Sequence, residues 1–273
     1  GATGASGVAG SVTELSDALV EDNSIYIGND PSATTSTAEY NIAIGTTALD
    51  AITTGDHNVA VGYDALTSNT EGIKNTAIGS QALMSNTTGK YNTAIGRNTL
   101  VSNTTGDRNT AIGITALYYN TTGDYNTASG YYALMSNTTG KSNVANGYKA
   151  LHTTTTGDSN TASGSAALIS NTTGGYNTAS GTSALGSNTT GSNNNASGYY
   201  ALVSNTTGSN NTAIGYNADV SSDALTNATA IGNGASVNAS HKIRLGNTDI
   251  TVIEGEVAFS NVSDRRLKKD ITS

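Results

Sequence analysis

Small and large apolar side chains fall at fixed intervals along most of this chain, and the interval is seventeen residues. Alanine holds every seventeenth position from Ala43 to Ala230, and leucine every seventeenth from Leu49 to Leu202. Glycine returns thirteen times without a slip from Gly28 to Gly232, and a second glycine column runs from Gly55 to Gly208. Asparagine keeps one column from Asn41 to Asn211 and another through Asn86, Asn103, Asn120 and Asn137. Loops usually tolerate changes of length. Unbroken register therefore means that every residue of the unit belongs to a stack, and a disordered low-complexity tract would not keep its columns.

One unit, NTAIGSQALMSNTTGKY (75–91), predicts the coil. Two strand-like pieces, Asn75–Ile78 and Ala82–Ser85, are each ended by a turn, at Gly79 and at Thr87-Thr88-Gly89, where glycine reaches φ > 0 without penalty. Seventeen residues are too few for a helical-pair repeat and suit one coil of a β-solenoid. The two Asn columns would stack as amide ladders. At about 4.8 Å per coil the repeats make a rod of roughly 60 Å.

Neighbours on a strand point to opposite faces, yet Ala77 and Ile78 are both apolar, as are Ala82 and Leu83. Each strand is thus expected to hide both faces, one inside its own coil and the other against a second copy. GATGASGVAG puts glycine at 1, 4, 7 and 10, the spacing a three-chain collagen helix demands. The predicted fold is all-β, a parallel β-solenoid (β-roll) of 17-residue coils assembled as a parallel homotrimer. The position before the first glycine is apolar in Ile27, Ile44, Val61, Ile78, Ile95 and Ile112. It then turns polar in Ser129, Asn146, Ser163, Ser180 and Ser197 and apolar again in Ile214 and Ile231. That column is expected to line the three-fold axis, dry at both ends with water or an ion between. The expected layout is a collagen-like stalk or linker over 1–12, a short helical or capping segment over 13–23, the β-roll over 24–235, and a β-rich trimeric neck over 236–262.

Composition narrows the function. Charged residues are 12% of the chain, about half the usual share, and bulky core-formers are scarce. A net charge of −8 disfavours a nucleic-acid partner, and no apolar run approaches the roughly 18 residues that span a bilayer. With no cysteine there is neither a disulfide framework nor a thiolate metal site. His57, His152 and His241 share no column, and acids such as Asp107, Asp124 and Asp158 sit at variable positions as solvated corners. No metal, no cofactor and no paired carboxylates for glycoside hydrolysis are therefore expected. Asn86, Asn103 and Asn120 each open an Asn-Thr-Thr glycosylation acceptor triplet. Thirteen of the fourteen tyrosines stand in variable columns. Tyr131, Tyr132, Tyr148, Tyr199, Tyr200 and Tyr216 follow the first glycine and are candidate glycan contacts; the competing reading is that tyrosine simply suits an exposed β surface.

The N-[ST]-x-A-[IS]-G pattern in stacked coils resembles the heads of trimeric autotransporter adhesins, and the ALxSNTTGxxNTAxG unit is similar to repeats of phage and algal-virus tail-fibre proteins. These resemblances cover roughly 24–235. SDRRLKKDI, Ser263 to Ile271, preceded by KIRLGNTDITVIEGEVAFSNV, resembles the start of the endosialidase-type intramolecular chaperone found at the end of tail fibres. The resemblance implies that this domain (263–273 here) trimerises the fibre chains and then cuts itself off. Carried onto this chain, Ser263 is the nucleophile, Lys268 the general base, the scissile bond follows Val262, and Asp264 and Arg266 position the turn. The match ends with the chain at Ser273, so only the first residues of such a domain are in hand. Without the resemblance, Ser263 reads as a helix N-cap. The implied function is a structural and adhesive segment of a homotrimeric phage or viral tail fibre. It would lie in the virion or outside the cell, with two further copies of itself and a host-surface glycan or other receptor as partners. The alternatives are a trimeric bacterial surface adhesin head and an ice-binding solenoid.

Overall fold

The structure, a computed structural model, describes residues 18–28, 31 and 37–253. Fifteen strands form one sheet, and among the described residues there is no α-helix. Each coil from Ile42 to Ile231 contributes a three-residue strand and pairs it in parallel with its counterpart one coil on, so that Thr76 faces Thr93, Ala77 faces Ala94 and Ile78 faces Ile95. The chain is a parallel β-solenoid with a 17-residue step. The last step is shorter, with Thr229 opposite Ile243, so the stack runs on into the stretch expected to form a neck. At the other end Ala18–Glu21 pairs antiparallel with Ser24–Ile27. Of the segment expected over 13–23 to be helical or capping, the described residues 18–23 are a strand and a turn that cap the sheet edge. The stalk over 1–12 lies outside the described residues.

Alanine sits at the centre of each strand and points inward, fully buried from Ala43 to Ala213. Its small side chain suits a thin coil whose opposite wall is supplied by the leucine column. That opposite wall is not a strand as Ala82–Ser85 predicts. It is a turn, with Gln81 and Leu83 in the left-handed region at φ 61° and 52°. A left-handed residue breaks the up-down alternation of extended backbone, so Ala82 and Leu83 both point inward and both are fully buried. The expectation that this pair hides one face against a second copy is therefore wrong, because one coil covers both residues. The leucine column is left-handed throughout, from Leu49 (φ 54°) to Leu202 (φ 52°), and holds no β-branched residue. Branching at Cβ makes positive φ a genuine steric outlier.

Both asparagine columns are ladders inside the coil. In the first, the Asn58 amide nitrogen donates to Asn41 Oδ1 at 2.9 Å, while Asn58 Nδ2 donates to the Gly72 carbonyl at 2.9 Å. In the second, Asn86 Nδ2 donates to Asn69 Oδ1 at 2.7 Å and to the Gly89 carbonyl at 3.1 Å, and Asn103 and Asn120 repeat the pattern. The acceptor triplets at Asn86, Asn103 and Asn120 therefore have their amides fully buried in the fold. Thr154 interrupts this second ladder. Its hydroxyl accepts from Asn171 Nδ2 at 3.3 Å, but no protein donor reaches buried Asn137 Oδ1 below it. Glycine sets how closely the coils approach: a Cβ on Gly79 (φ 132°) would lie 2.5 Å from the Gly96 carbonyl oxygen.

Candidate functional surfaces

Because each strand has only three residues and the middle one turns inward, the two flanking residues both face out. They make two parallel columns on the open face of the sheet. Ile42, Ile44, Ile78, Ile95, Ile112, Ile214 and Ile231 stand there with 38–45% of their surface exposed. Between the two isoleucine runs the same face turns mostly polar, through Thr127, Asn146, Thr161, Ser163, Thr178, Ser180, Asn195 and Ser197, all exposed, with Val144 the apolar exception. Ser163 and Ser180 lie on the outside of this single coil, as Ile78 and Ile95 do in the same column. Of the two apolar walls inferred from the sequence, only this one leaves apolar residues uncovered.

Beyond the positive-φ glycine at the strand's end lie the tyrosines. The structure gathers the six candidates into two clusters rather than one site. In the first, Tyr131 contacts Tyr132 at 4.0 Å between ring centroids and stacks on Tyr148 at 5.9 Å, with planes 7° apart. In the second, Tyr199 meets Tyr200 edge-on at 4.2 Å and stacks on Tyr216 at 5.5 Å, with planes 5° apart. The neighbouring hydroxyl of Tyr132 raises the Tyr131 phenol above its ordinary pKa, with smaller contributions from desolvation and from Tyr148; Tyr200 acts on Tyr199 in the same way. His152 meets the edge of Tyr132 at 6.0 Å, and burial, then the charge of Lys149, lowers its pKa.

Tyrosines in the column just before asparagine, Tyr91, Tyr125 and Tyr176, form a second exposed aromatic run. The Arg108 guanidinium lies between the rings of Tyr91 and Tyr125, at 5.1 and 5.3 Å, and Lys74 lies over Tyr91 at 5.3 Å. Lys74, Tyr91, Arg108 and Tyr125 are successive members of that column, so cation and ring alternate along it. Beside it Lys141 pairs with Asp124 at 2.9 Å. Partial burial works to raise the Asp124 carboxyl. The Asp107 amide, Lys141 and Arg108 outweigh it and hold that carboxyl below its ordinary value. One acid stands in the leucine column: Asp219 is only half-buried, beside inward-facing Val220, and desolvation raises its pKa despite amide hydrogen bonds from Ser204 and Val220.

Among the described residues no group of three or more His, Cys, Asp or Glu side chains is placed to hold a metal ion. Ser263, Lys268 and the bond after Val262 lie outside the described residues, as do Asp264 and Arg266. No family model matches the chain, and no curated protein matches it.

Proposed function

We propose that this chain is a structural and adhesive segment of a homotrimeric viral tail fibre, and that the outward isoleucine face is the seam between copies. The observation that carries the reading is the position of that face. It is outside the coil, in register over almost the whole rod, and apolar at both ends. Large exposed apolar stripes on soluble proteins mark contact surfaces, and a stripe of fixed pitch is best covered by an identical stripe. Three copies are favoured by the glycine triplets at the start of the chain. The tail-fibre assignment rests on the resemblance of the repeat and of SDRRLKKDI, which also implies cleavage before Ser263 when the natural downstream residues are present. Light scattering should give three times the 27.4 kDa chain mass. Ile78→Lys with Ile95→Lys should lower that mass to one chain without loss of β circular dichroism. A parent protein that is already monomeric would refute the seam.

One observation favours a second reading. Thr161, Ser163, Thr178 and Ser180 form an array of exposed hydroxyl residues on paired strands rather than in turns. Such an array is suited to ordering water as ice-binding solenoids do. Inhibition of ice recrystallisation by the parent, abolished by Thr161→Leu and Thr178→Leu, would favour it.

A further inference from the structure

The two tyrosine clusters are the ends of one longer feature. In the column just after the first glycine, six successive coils carry Tyr131, Tyr148, Ser165, Thr182, Tyr199 and Tyr216, all exposed. Aromatic pairs therefore flank a pair of hydroxyls. The adjoining column carries Tyr132 and Lys149 over the first two of these coils, Ala166 and Ser183 over the middle two, and Tyr200 and Asn217 over the last two. Five coil steps at about 4.8 Å make this track roughly 24 Å long, parallel to the rod axis.

We infer that this track is a binding site for a linear, uncharged oligosaccharide lying along the rod. Tyrosine offers a rigid, amphipathic ring that loses little entropy on binding, and sugar rings present apolar C–H faces to it. The hydroxyls of Ser165 and Thr182 can donate to and accept from ring hydroxyls in the middle of the track. Neither column contains an acid over these coils, and Lys149, whose ammonium lies over the Tyr148 ring at 5.3 Å, is the sole cation. A charged polymer would therefore find little to pair with. An apolar peptide would find no pocket between the clusters, only two small hydroxyl residues. A periodic polymer is matched by a periodic stack, because the ring-bearing coils keep their spacing whatever binds. All of these side chains belong to one chain, so the site does not need a second copy. The inference rests on the attachment half of the proposed function and not on its trimeric half.

The test uses the full chain and four probes: chitohexaose, cellohexaose, mannohexaose and laminarihexaose, each compared with its trisaccharide. The chain has no tryptophan, so its fluorescence reports the tyrosines directly, and calorimetry gives stoichiometry. At least one hexasaccharide should bind once per chain and about 10- to 100-fold more tightly than its trisaccharide, because two linked contacts raise the effective concentration of the second. Tyr199→Ala with Tyr216→Ala should reduce the hexasaccharide to trisaccharide affinity, whereas Tyr91→Ala, in a different column, should change nothing. Failure of all four hexasaccharides to bind overturns the inference. So does binding that survives alanine at Tyr131, Tyr148, Tyr199 and Tyr216 together. Mass measured on the same samples separates the two readings. A monomer that binds sugar refutes only the seam, and a trimer that binds none refutes only the track.

Discussion

Replacing Thr154 by asparagine should stabilise the protein, although the residue is already fully buried. In the second asparagine column each Nδ2 donates to the Oδ1 one coil earlier, at 2.7 Å for Asn120 and Asn137. Thr154 has no amide to offer, so Asn137 Oδ1 is left without a protein donor and Asn171 Nδ2 makes do with a hydroxyl at 3.3 Å. A buried polar atom left unsatisfied costs about 1–3 kcal/mol, and a net hydrogen bond contributes about 1 kcal/mol. Thr154→Asn repairs the first defect and shortens the second. The space is of the right shape, because coils on both sides hold asparagine there, so a gain of about 1–3 kcal/mol is expected. In a chain of this size that is a rise in Tm of about 2–4 °C per kcal/mol. Calorimetry of parent and variant reads it, and hydrogen exchange should show the added protection centred on the coils of Asn137 and Asn171. An unchanged or lowered Tm would mean that the ladder is not what holds these coils together.

Three further outcomes are expected. Leu134→Ile should cost about 1–3 kcal/mol in a denaturant melt because Leu134 has φ 51°, while Leu134→Met, unbranched at Cβ, should cost less than about 1.5 kcal/mol. Gly79→Ala should cost at least about 2 kcal/mol in the same melt, from strain at φ 132° and from a methyl 2.5 Å from the Gly96 oxygen. Asp219 has a raised carboxyl pKa in the fold, so its ionisation opposes folding, and stability falls as pH rises from the ordinary carboxylate value through the raised one. Asp219→Asn should therefore melt higher than the parent at pH 7 and lose that advantage at pH 3.

The period, the parallel stacking and both asparagine ladders were legible because seventeen-residue columns align without gaps, and a column of one residue type can only face itself. The wall around Leu83 was not. The rule that neighbours face opposite ways presupposes extended backbone, and a corner built on left-handed residues suspends it. A clue was nonetheless present: the leucine column never admits valine or isoleucine, whereas the outward strand columns use both freely. The tyrosine columns could be aligned from spacing alone, but not the ring contacts, which depend on side-chain torsions. That Asn137 has lost its donor was likewise hidden until the partner of each amide was known, though the Thr154 substitution was plain. The proposed cleavage residues rest on resemblance alone.

Uninterrupted register has a consequence for how such a gene can change. A deletion of one or two codons within the stack would slide every later side chain into the wrong column, turning asparagines outward and tyrosines in. Gain or loss of a whole seventeen-codon block, by recombination between near-identical neighbours, leaves every column intact. The rod can therefore lengthen or shorten in single-rung increments of about 4.8 Å, so that distance from base to tip is inherited as a whole number.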